Sequence, residues 1–242
     1  MISIIIPTYN EEKYIEKTLA QFKGLKIPHE LIVTDDKSTD DTALIAKKYA
    51  NIVLVPERKR ATIAANRNAG ARVAQGDYFV FIDSSCLIQD IDSFFDKALA
   101  NFQKYSDLVG LTGKLHVYPE TRTIGDRVMY LNFNITHFVK NNLLHMGEAP
   151  GKFQIVKRDA FEKVHGYREN LVTREDADLF ARLSKIGKTY YDGSIAIFHS
   201  GRRAHAIGWP KLLFIWMINT FWLTLFGTSK TKDWTRWWEK TK

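Results

Sequence analysis

The stretch that decides the fold is GDYFVFIDSSC, residues 76–86. Tyr78 to Ile82 form an apolar run of strand length, and Asp83 follows it directly, before small residues. This pattern is typical of a buried central strand that carries a carboxylate to the edge of a sheet. Ligands of open α/β sheets bind beyond the carboxyl ends of the strands, so Asp83 is a candidate functional residue. The alternative is a strand that runs into an ordinary Asp-Ser turn.

Strands and helices alternate on the amino-terminal side of this stretch. Apolar runs at 2–7, 30–34 and 52–55 predict strands, and each is followed by a predicted helix, the last at 62–74. The alternation predicts an α/β fold with a parallel, doubly wound sheet. After residue 86 the pattern is looser. It predicts helices at 91–105 and from residues 158 and 175, strands at 108–117 and 153–156, and an ambiguous stretch up to residue 144.

The composition fits one large α/β domain, or a domain with an appendage. The chain has 242 residues, of which 45% are hydrophobic and 26% are charged. Its one cysteine, Cys86, excludes an internal disulfide and a metal site built from cysteines. Residues 2–7 are too short for the apolar core of a signal peptide, so none is predicted.

The excess positive charge lies at the carboxyl-terminal end. The net charge is +8, and eight Lys/Arg against two Asp/Glu lie from Arg202 onward. All six tryptophans lie there too. The sequence therefore predicts a nearly neutral domain followed by a basic, Trp-rich tail.

The tail contains a strongly apolar segment at 212–226, and no charge occurs from Leu212 to Ser229. As a helix, such a segment reaches about 27 Å, which only just matches a bilayer core. Tryptophans and basic residues on its flanks favour a helix at the membrane surface, or one shallowly inserted. The alternative is a core helix that packs back on the domain.

Acidic residues occupy three predicted ligand-binding positions: Asp35 and Asp36 after the second strand, Asp83 after the fourth, and Glu175 with Asp176 at a helix start. Any one of these positions could be a helix cap or a turn. Their joint occurrence in an α/β chain favours a functional site.

In order and spacing, six motifs of residues 1–205 resemble those of family 2 glycosyltransferases. They are IPTYNE at 6–11, TDDKSTD at 34–40, ANRNAG at 65–70, the stretch 76–85, FEKVHGY at 161–167 and REDADL at 174–179. The resemblance implies the glycosyltransferase-A fold, with a Rossmann-like, mainly parallel sheet flanked by helices and a hydrophobic helical tail. It implies a catalytic domain at 1–205, with a nucleotide-binding half at 1–85 and an acceptor-binding half at 86–205, and a membrane-associating tail at 206–242.

For the donor, the resemblance implies that Tyr9 stacks on the nucleobase, that Asp36 accepts a hydrogen bond from its N–H edge, and that Arg67 lies by the nucleotide. A carboxylate suits the imide of uracil or guanine because charge-assisted hydrogen bonds are strong. The remaining residues expected at the nucleotide are Pro7, Thr8, Glu11, Asp83 and Ser84. The alternative for Arg67 is a cation on a helix surface.

The resemblance also implies a divalent cation, Mg²⁺ or Mn²⁺, on the donor diphosphate. Asp83, Ser84 and Ser85 stand where the family has its Asp-x-Asp motif, so Ser85 replaces the second carboxylate. Hard cations prefer oxygen ligands, and this replacement exchanges an anionic carboxylate for a neutral hydroxyl. His199 matches a late histidine that many relatives present to the metal or diphosphate. The expected metal residues are thus Asp83, Ser85 and His199, with a structural histidine as the alternative for the last.

Glu175 and Asp176 match the family's catalytic pair, in which the aspartate deprotonates the acceptor hydroxyl. Asp178 is expected to be solvated or structural. His165, Gly166 and Tyr167 match a glycine-rich stretch that lines the acceptor side, and His165 replaces its first glycine.

These expectations describe an inverting glycosyltransferase of the hexosyltransferase type. It would use a UDP- or GDP-sugar and a lipid-linked or polyprenyl-phosphate acceptor, at the cytoplasmic face of a membrane and without a nucleic-acid partner. The alternative is a membrane-associated protein that binds nucleotide sugars without turnover. A nucleotidyltransferase is disfavoured, since no glycine-rich, lysine-bearing triphosphate loop occurs near the first strand.

Overall fold

The computed structural model describes residues 1–57 and 62–226. Its sheet has the strand order β3-β2-β1-β4-β7-β6-β8-β5. The strands are β1 Ile2–Thr8, β2 His29–Asp35, β3 Ile52–Leu54, β4 Tyr78–Ile82, β5 Cys86–Leu87, β6 Leu108–Val117, β7 Phe153–Lys157 and β8 Lys188–His199. The helices are α1 Glu12–Ala20, α2 Thr42–Ala46, α3 Ile63–Val73, α4 Ile91–Lys104, α5 Ile124–Phe138, α6 Arg158–Lys163, α7 Glu175–Leu183, α8 Arg202–Ile207 and α9 Trp209–Phe226.

The half of the sheet formed by β3, β2, β1 and β4 is parallel, as the alternation of strands and helices predicts. The central residues of its strands are mostly apolar because helices cover both faces. Helix α3 lies very close to the sheet at Gly70, where an added Cβ would stand 2.5 Å from the Ile5 side chain. Glycine at this position therefore sets the depth of the helix that carries Arg67.

The other half of the sheet is mixed. Strand β7 lies antiparallel between β4 and β6, β6 and β8 are parallel, and β5 is antiparallel to β8. The strands at 188–199 and 86–87 are absent from the sequence prediction. The inserted β7 places Phe153 opposite Ile82, so the residue before Phe153 lies beside Asp83.

The stretch that is ambiguous in sequence forms α5 and a π-helical turn, Val139–Leu143. Helix α5 begins with a reciprocal capping box between Thr123 and Asp126. Apolar side chains lie on both its inner and outer sides. The outer set recurs every three or four residues and is exposed by 43% to 80%; it consists of Ile124, Val128, Leu131, Ile135 and Phe138.

Helix α9 packs back on α5 with one side and exposes the other. The Trp209 and Trp216 rings contact Tyr130 and Phe133 of α5 at centroid distances of 5.7 and 5.8 Å. The Trp209 indole N–H donates to Asp126 Oδ1 at 3.0 Å. The outer side of α9 carries the exposed residues Leu213, Phe214, Met217 and Phe221.

One side of α9 therefore packs on the domain, as in the core-helix alternative, while its other side exposes apolar side chains. Within residues 1–57 and 62–226, no helix combines the length and apolarity needed to cross a membrane. The rest of the predicted tail, residues 227–242, lies outside the described residues.

Candidate active site

The parallel strands β1, β2 and β4 bring their carboxyl ends to one edge of the sheet. Thr8 pairs with Asp35 in the β1–β2 register, and Asp83 follows β4. Pro7 and Thr8 are buried, and Tyr9 lies half-buried just beyond them. The three predicted nucleotide-binding segments therefore converge as the topology requires.

Asp35 builds the loop after β2. Its carboxylate accepts from the Thr8 hydroxyl at 3.0 Å, and from the Ser38 backbone N–H and hydroxyl at 2.8 and 2.5 Å. The Asp36 N–H donates to the Thr8 carbonyl at 2.9 Å, which extends the β1–β2 pairing by one residue. Asp36, the predicted base-recognition residue, is 6% exposed at this edge.

The loop after β1 is joined to the segment that follows β8. Glu11 donates its backbone N–H to the Thr42 hydroxyl at 2.7 Å, and its carboxylate receives two hydrogen bonds from the Arg202 guanidinium, one of them 2.9 Å long. Arg202 also lies over the Tyr14 ring, 4.7 Å from its centroid. Bidentate Arg–carboxylate pairs fix the relative orientation of the two side chains in addition to pairing their charges. Glu11 therefore holds the loop in place from within.

Arg67 is the centre of the site, and its side chain is 1% exposed. Its guanidinium donates to Glu175 at 2.9 Å, to Asp83 at 3.1 Å and to the Gly151 carbonyl at 2.6 Å. The Tyr167 ring lies beneath it, 5.4 Å away. The alternative of a helix-surface cation is therefore wrong. Arg67 connects the predicted metal carboxylate to the predicted catalytic pair.

Asp83 lies between two cations. Lys152 Nζ contacts its second oxygen at 2.7 Å, opposite the contact from Arg67. Burial alone would raise the pKa of Asp83, but Lys152 and Arg67 outweigh it and lower that pKa to about 2. Asp83 is thus an anion at any physiological pH.

Glu175 and Asp176 open α7 after Arg174, whose φ of 61° is left-handed. Burial raises the pKa of both carboxyls; at Glu175 the neighbouring Asp176 charge raises it further while Arg67 opposes the rise. Carboxyls shifted in this direction are better proton acceptors than ordinary surface acids. The pair is therefore suited to general-base chemistry.

Gly151 makes the close packing of these groups feasible. An added Cβ there would stand 3.0 Å from Asp176 Oδ2 and 3.2 Å from Arg67 Nη2. Both distances are tight, so a larger residue would push the carboxylate and the guanidinium apart. Asp178, by contrast, pairs with Arg182 at 2.8 Å and Arg168 at 3.1 Å, which confirms a structural role for it.

His199 ends β8, where it pairs with Cys86 of β5 just beyond Asp83. Its Nδ1 accepts the Gly201 backbone N–H at 3.1 Å, and its Nε2 is buried without a hydrogen-bond partner among the described residues. Burial and the charge of Lys152 lower the pKa of His199 to about 3, so the ring is neutral. A backbone N–H at Nδ1 leaves the ring proton on Nε2.

The three predicted metal residues lie close together but do not fit a divalent cation. Asp83 already faces two cations, and Nε2 of His199 carries a proton instead of a free lone pair. Ser85 is buried, and its carbonyl accepts from the Tyr118 hydroxyl at 2.7 Å. The described part of the chain contains no cluster of three His, Cys, Asp or Glu residues that could hold a metal. At a diphosphate, Mg²⁺ or Mn²⁺ is held by one or two protein carboxylates together with the phosphates, and here the single carboxylate, Asp83, is already paired with Lys152 and Arg67.

The predicted acceptor residues are distributed between surface and core. His165 is exposed with a φ of 60°, and Gly166 follows with a φ of 63°. Tyr167 is 2% exposed, and its hydroxyl donates to Gln154. The turn is held by Asn68, which exchanges hydrogen bonds with the Tyr167 backbone at 2.9 Å each way. Tyr167 therefore supports Arg67 from below, and His165 alone of the three is exposed.

Sequence reasoning missed Lys152, Gly151 and Arg202 as site residues. None carries a local signature. Lys152 becomes a neighbour of Asp83 only because β7 is inserted antiparallel to β4. Two adjacent arginines after a strand gave the only hint for Arg202.

The sequence profile of the family described as Glycosyl transferase family 2 matches residues 3–165. The O-antigen chain rhamnosyltransferase WbaN of Salmonella anatum is 24% identical over 208 residues, 82% of this chain and 65% of the relative. The poly(ribitol-phosphate) beta-N-acetylglucosaminyltransferase TarS of Staphylococcus aureus is 30% identical over 147 residues, 53% of this chain and 26% of the relative. A Methanococcus voltae transferase named for a dolichyl N-acetylglucosaminyl phosphate is 40% identical over 88 residues, 33% of this chain and 27% of the relative. The chain thus spans from about a quarter to just under two thirds of these relatives.

Solved structures share the fold. The mannosyltransferase PcManGT of Pyrobaculum calidifontis, in complex with GDP-Man and Mn²⁺, superposes with a TM-score of 0.65 at 20% identity, over 82% of this chain and 56% of that one. S. aureus TarS 1-349 in complex with UDP-GlcNAc superposes with a TM-score of 0.65 at 23% identity, over 81% of this chain and 57% of that one. At these identities the likeness concerns the glycosyltransferase-A fold alone.

Proposed function

The chain belongs to glycosyltransferase family 2, and on that premise we propose that it is an inverting glycosyltransferase of the hexosyltransferase type. The observation that carries the proposal is the Glu175–Asp176 pair, whose buried Glu175 is connected through Arg67 to Asp83 at the ligand-binding edge of the sheet. This edge places a carboxylate pair beside Arg67, and the cation Lys152 lies next to Asp83. Base and cations are what sugar transfer from a diphosphate requires.

In the proposed reaction, Asp176 takes the proton of the acceptor hydroxyl as its oxygen attacks the anomeric carbon of the donor. The new C–O bond forms while the bond from the anomeric carbon to the diphosphate oxygen breaks, and the nucleoside diphosphate leaves with the electron pair. Attack from the side opposite the leaving group inverts the anomeric centre. Glu175 holds Arg67 in place and keeps the proton affinity of the pair high.

The donor proposed is a UDP- or GDP-sugar. Tyr9 and Asp36 lie next to each other in space at this edge, beyond β1 and β2, and a carboxylate such as that of Asp36 suits the imide N–H of uracil or guanine. Two neighbours in the fold are solved in complex with UDP-GlcNAc and with GDP-Man. No step is assigned to a metal ion, because the residues at Asp83 do not fit one.

The acceptor proposed is a glycan or phosphate carried on a membrane lipid. Relatives are named for O-antigen, poly(ribitol-phosphate) and dolichyl phosphate substrates. The site also lies near α9, since Arg174, which precedes the catalytic pair, donates to the Thr220 hydroxyl of α9 at 3.1 Å. A lipid-linked acceptor would reach the site most easily if the protein lay on the membrane surface.

We propose that α5 and α9 form the membrane-contacting surface, at the cytoplasmic face of the membrane. The exposed apolar residues of both helices define this surface: Ile124, Val128, Leu131, Ile135, Phe138, Leu213, Phe214, Met217 and Phe221. No acidic residue occurs in 127–147 or 193–232, so these segments carry only positive charge. Apolar side chains next to basic ones suit an anionic bilayer. On this proposal residues 1–205 are catalytic and 206–242 form the membrane tail.

The test is transfer of labelled sugar from UDP- and GDP-hexoses to a bacterial lipid extract, followed by analysis of the product anomer. Formation of a glycolipid with inverted configuration is expected. Tight binding of the nucleotide sugars without consumption would instead favour the alternative, a protein that binds the donor without turnover. That alternative is motivated by the missing second carboxylate at Ser85.

A further inference from the structure

We propose that Lys152 and His199 bind the donor diphosphate directly, at the place where the family resemblance puts a divalent cation. The inference rests on the proposed function, because it presumes a nucleoside diphosphate at this edge of the sheet. It assigns donor binding to two residues of this chain and makes binding independent of added metal.

Lys152 is a partly exposed cation of this site that can reach a ligand. Arg67 is fully buried and shared among two carboxylates and a carbonyl, whereas the Lys152 side chain is 35% exposed and contacts Asp83. The backbone holds its position, because the Asp83 N–H donates to the Lys152 carbonyl at 3.3 Å. An ammonium carries three N–H donors on a flexible stem, so Lys152 can contact a phosphate oxygen while it stays beside Asp83.

His199 supplies a hydrogen-bond donor. The Gly201 N–H occupies Nδ1, so Nε2 carries the ring proton. That N–H is buried and has no partner in the described parts of the chain, an arrangement that costs free energy in the absence of a ligand. A phosphate oxygen would satisfy it, whereas a metal ion would need the lone pair that this tautomer lacks.

The two groups also lie close enough to act together. Cys86, which pairs with His199, donates its backbone N–H to the Asp83 carbonyl at 3.1 Å, and Lys152 contacts the same aspartate. A diphosphate beside Asp83 would be repelled by its carboxylate unless a cation intervened. Lys152 is that cation, and Asp83 holds it in place until the donor arrives.

The experiment is calorimetric titration of the full chain with UDP, GDP and UMP, in EDTA and in Mn²⁺. The wild type should bind UDP or GDP with similar affinity in both buffers. Lys152→Met should weaken diphosphate binding about tenfold or more, as expected for loss of one charge-assisted contact, while UMP binding changes less. Lys157→Met, at the far end of the strand β7 that Lys152 precedes, is the matched control and should bind as the wild type does.

A second variant tests the histidine. His199→Asn keeps a polar atom near the position of Nδ1 but removes the donor at Nε2, so it should lose affinity for UDP and GDP while retaining its melting temperature. Binding that requires Mn²⁺, or full affinity in Lys152→Met, would overturn the inference and leave the proposed function intact. Failure of the wild type to bind either diphosphate in both buffers would overturn the proposed function as well.

Discussion

Two regions of the molecule differ in how they expose charged and apolar groups to solvent. One is the sheet edge around Arg67 and Asp83, called the donor edge because we propose that the donor binds there. The other is the exposed apolar surface of α5 and α9, called the apolar corner. At the donor edge the charged groups are buried and paired, as with Arg67 between Glu175 and Asp83. On α5 the apolar groups are exposed, with Leu131 at 62% and Ile135 at 54%. Each arrangement is costly for an isolated protein: buried charges must be compensated, and exposed apolar surface must be hydrated. The comparison indicates that both regions are built for something that is not part of the chain.

The largest effect should come from the donor edge. Asp176→Asn is nearly isosteric but replaces the proposed base with a poor proton acceptor, so turnover should fall by about 10²–10⁴. Nucleotide binding should be retained. Asp178→Asn, two residues further on, removes a carboxylate whose partners are Arg182 and Arg168 and should transfer sugar at close to the parent rate. A steady-state assay of both variants decides whether the chemistry lies at this edge.

The pairing of charges can be broken at its centre. Arg67→Met would leave Glu175 and Asp83 without their shared cation, and loss of one partner from a buried pair costs about 3–5 kcal/mol of unfolding free energy. Arg72→Met is the control on the same helix, because its side chain is 60% exposed and its contact with Glu169 is long at 3.5 Å. Urea unfolding measures both. Equal stability of the two variants would mean that Arg67 does not organise the site.

The apolar corner can be altered without touching the donor edge. The double change Leu131→Ser and Ile135→Ser should weaken binding to anionic vesicles by about tenfold, because two side chains that would enter the bilayer interface are lost. Folding should be unaffected, since both residues are exposed. Leu44→Ser on α2 removes an equally exposed leucine and should bind vesicles normally. Co-sedimentation that is the same for all three proteins would show that the surface of α5 and α9 contacts something other than lipid.

The smallest effect concerns pH. The pKa values of Glu175 and Asp176 are raised in the folded state by burial and, at Glu175, by the neighbouring charge, so the base is lost to protonation at a higher pH than an ordinary carboxylate would be. Transfer should therefore decline on the acid side earlier than a surface aspartate predicts. Folding stability should change with pH in the opposite direction to activity. Carboxyls whose pKa values are raised in the folded state stabilise the fold at low pH, and this contribution is lost as the pH rises through those values. A pH–rate profile of Glu148→Gln should show the acid limb moved to lower pH, since the Glu148 charge is one cause of the raised pKa of Asp176.

The sequence predicts the donor edge far better than the apolar corner, and the reason is periodicity. Strands β1 and β4 are short apolar runs bounded by polar turns, so their ends, and with them Asp83, follow directly from the pattern. Helix α5 has apolar residues on both sides, Tyr130 and Phe133 inward and Leu131 outward, so the contrast that identifies an amphipathic helix is missing.

The missed contacts at the donor edge have a topological cause. Alternating strands and helices predict parallel neighbours, whereas β7 enters antiparallel between β4 and β6 and delivers Lys152 and Gly151 to the site. Nothing in the local sequence of β7 reports its direction. The family resemblance locates Arg67 near the nucleotide, but only the coordinates show it below the carboxylates and supported by Tyr167.

The pairing of Glu11 with Arg202 has a consequence for the order in which the enzyme becomes complete during its synthesis. The two residues are 191 positions apart, so the loop after the first strand receives this cation only when nearly all of the described chain has left the ribosome. Strands β1 to β4 can pair well before that, because chains fold from the amino terminus as they emerge. A nascent chain can therefore hold a nearly finished half-sheet whose donor loop still lacks the arginine that fixes it. Competence to bind the donor would then be acquired late and in a single step, when the chain after β8 closes onto its beginning.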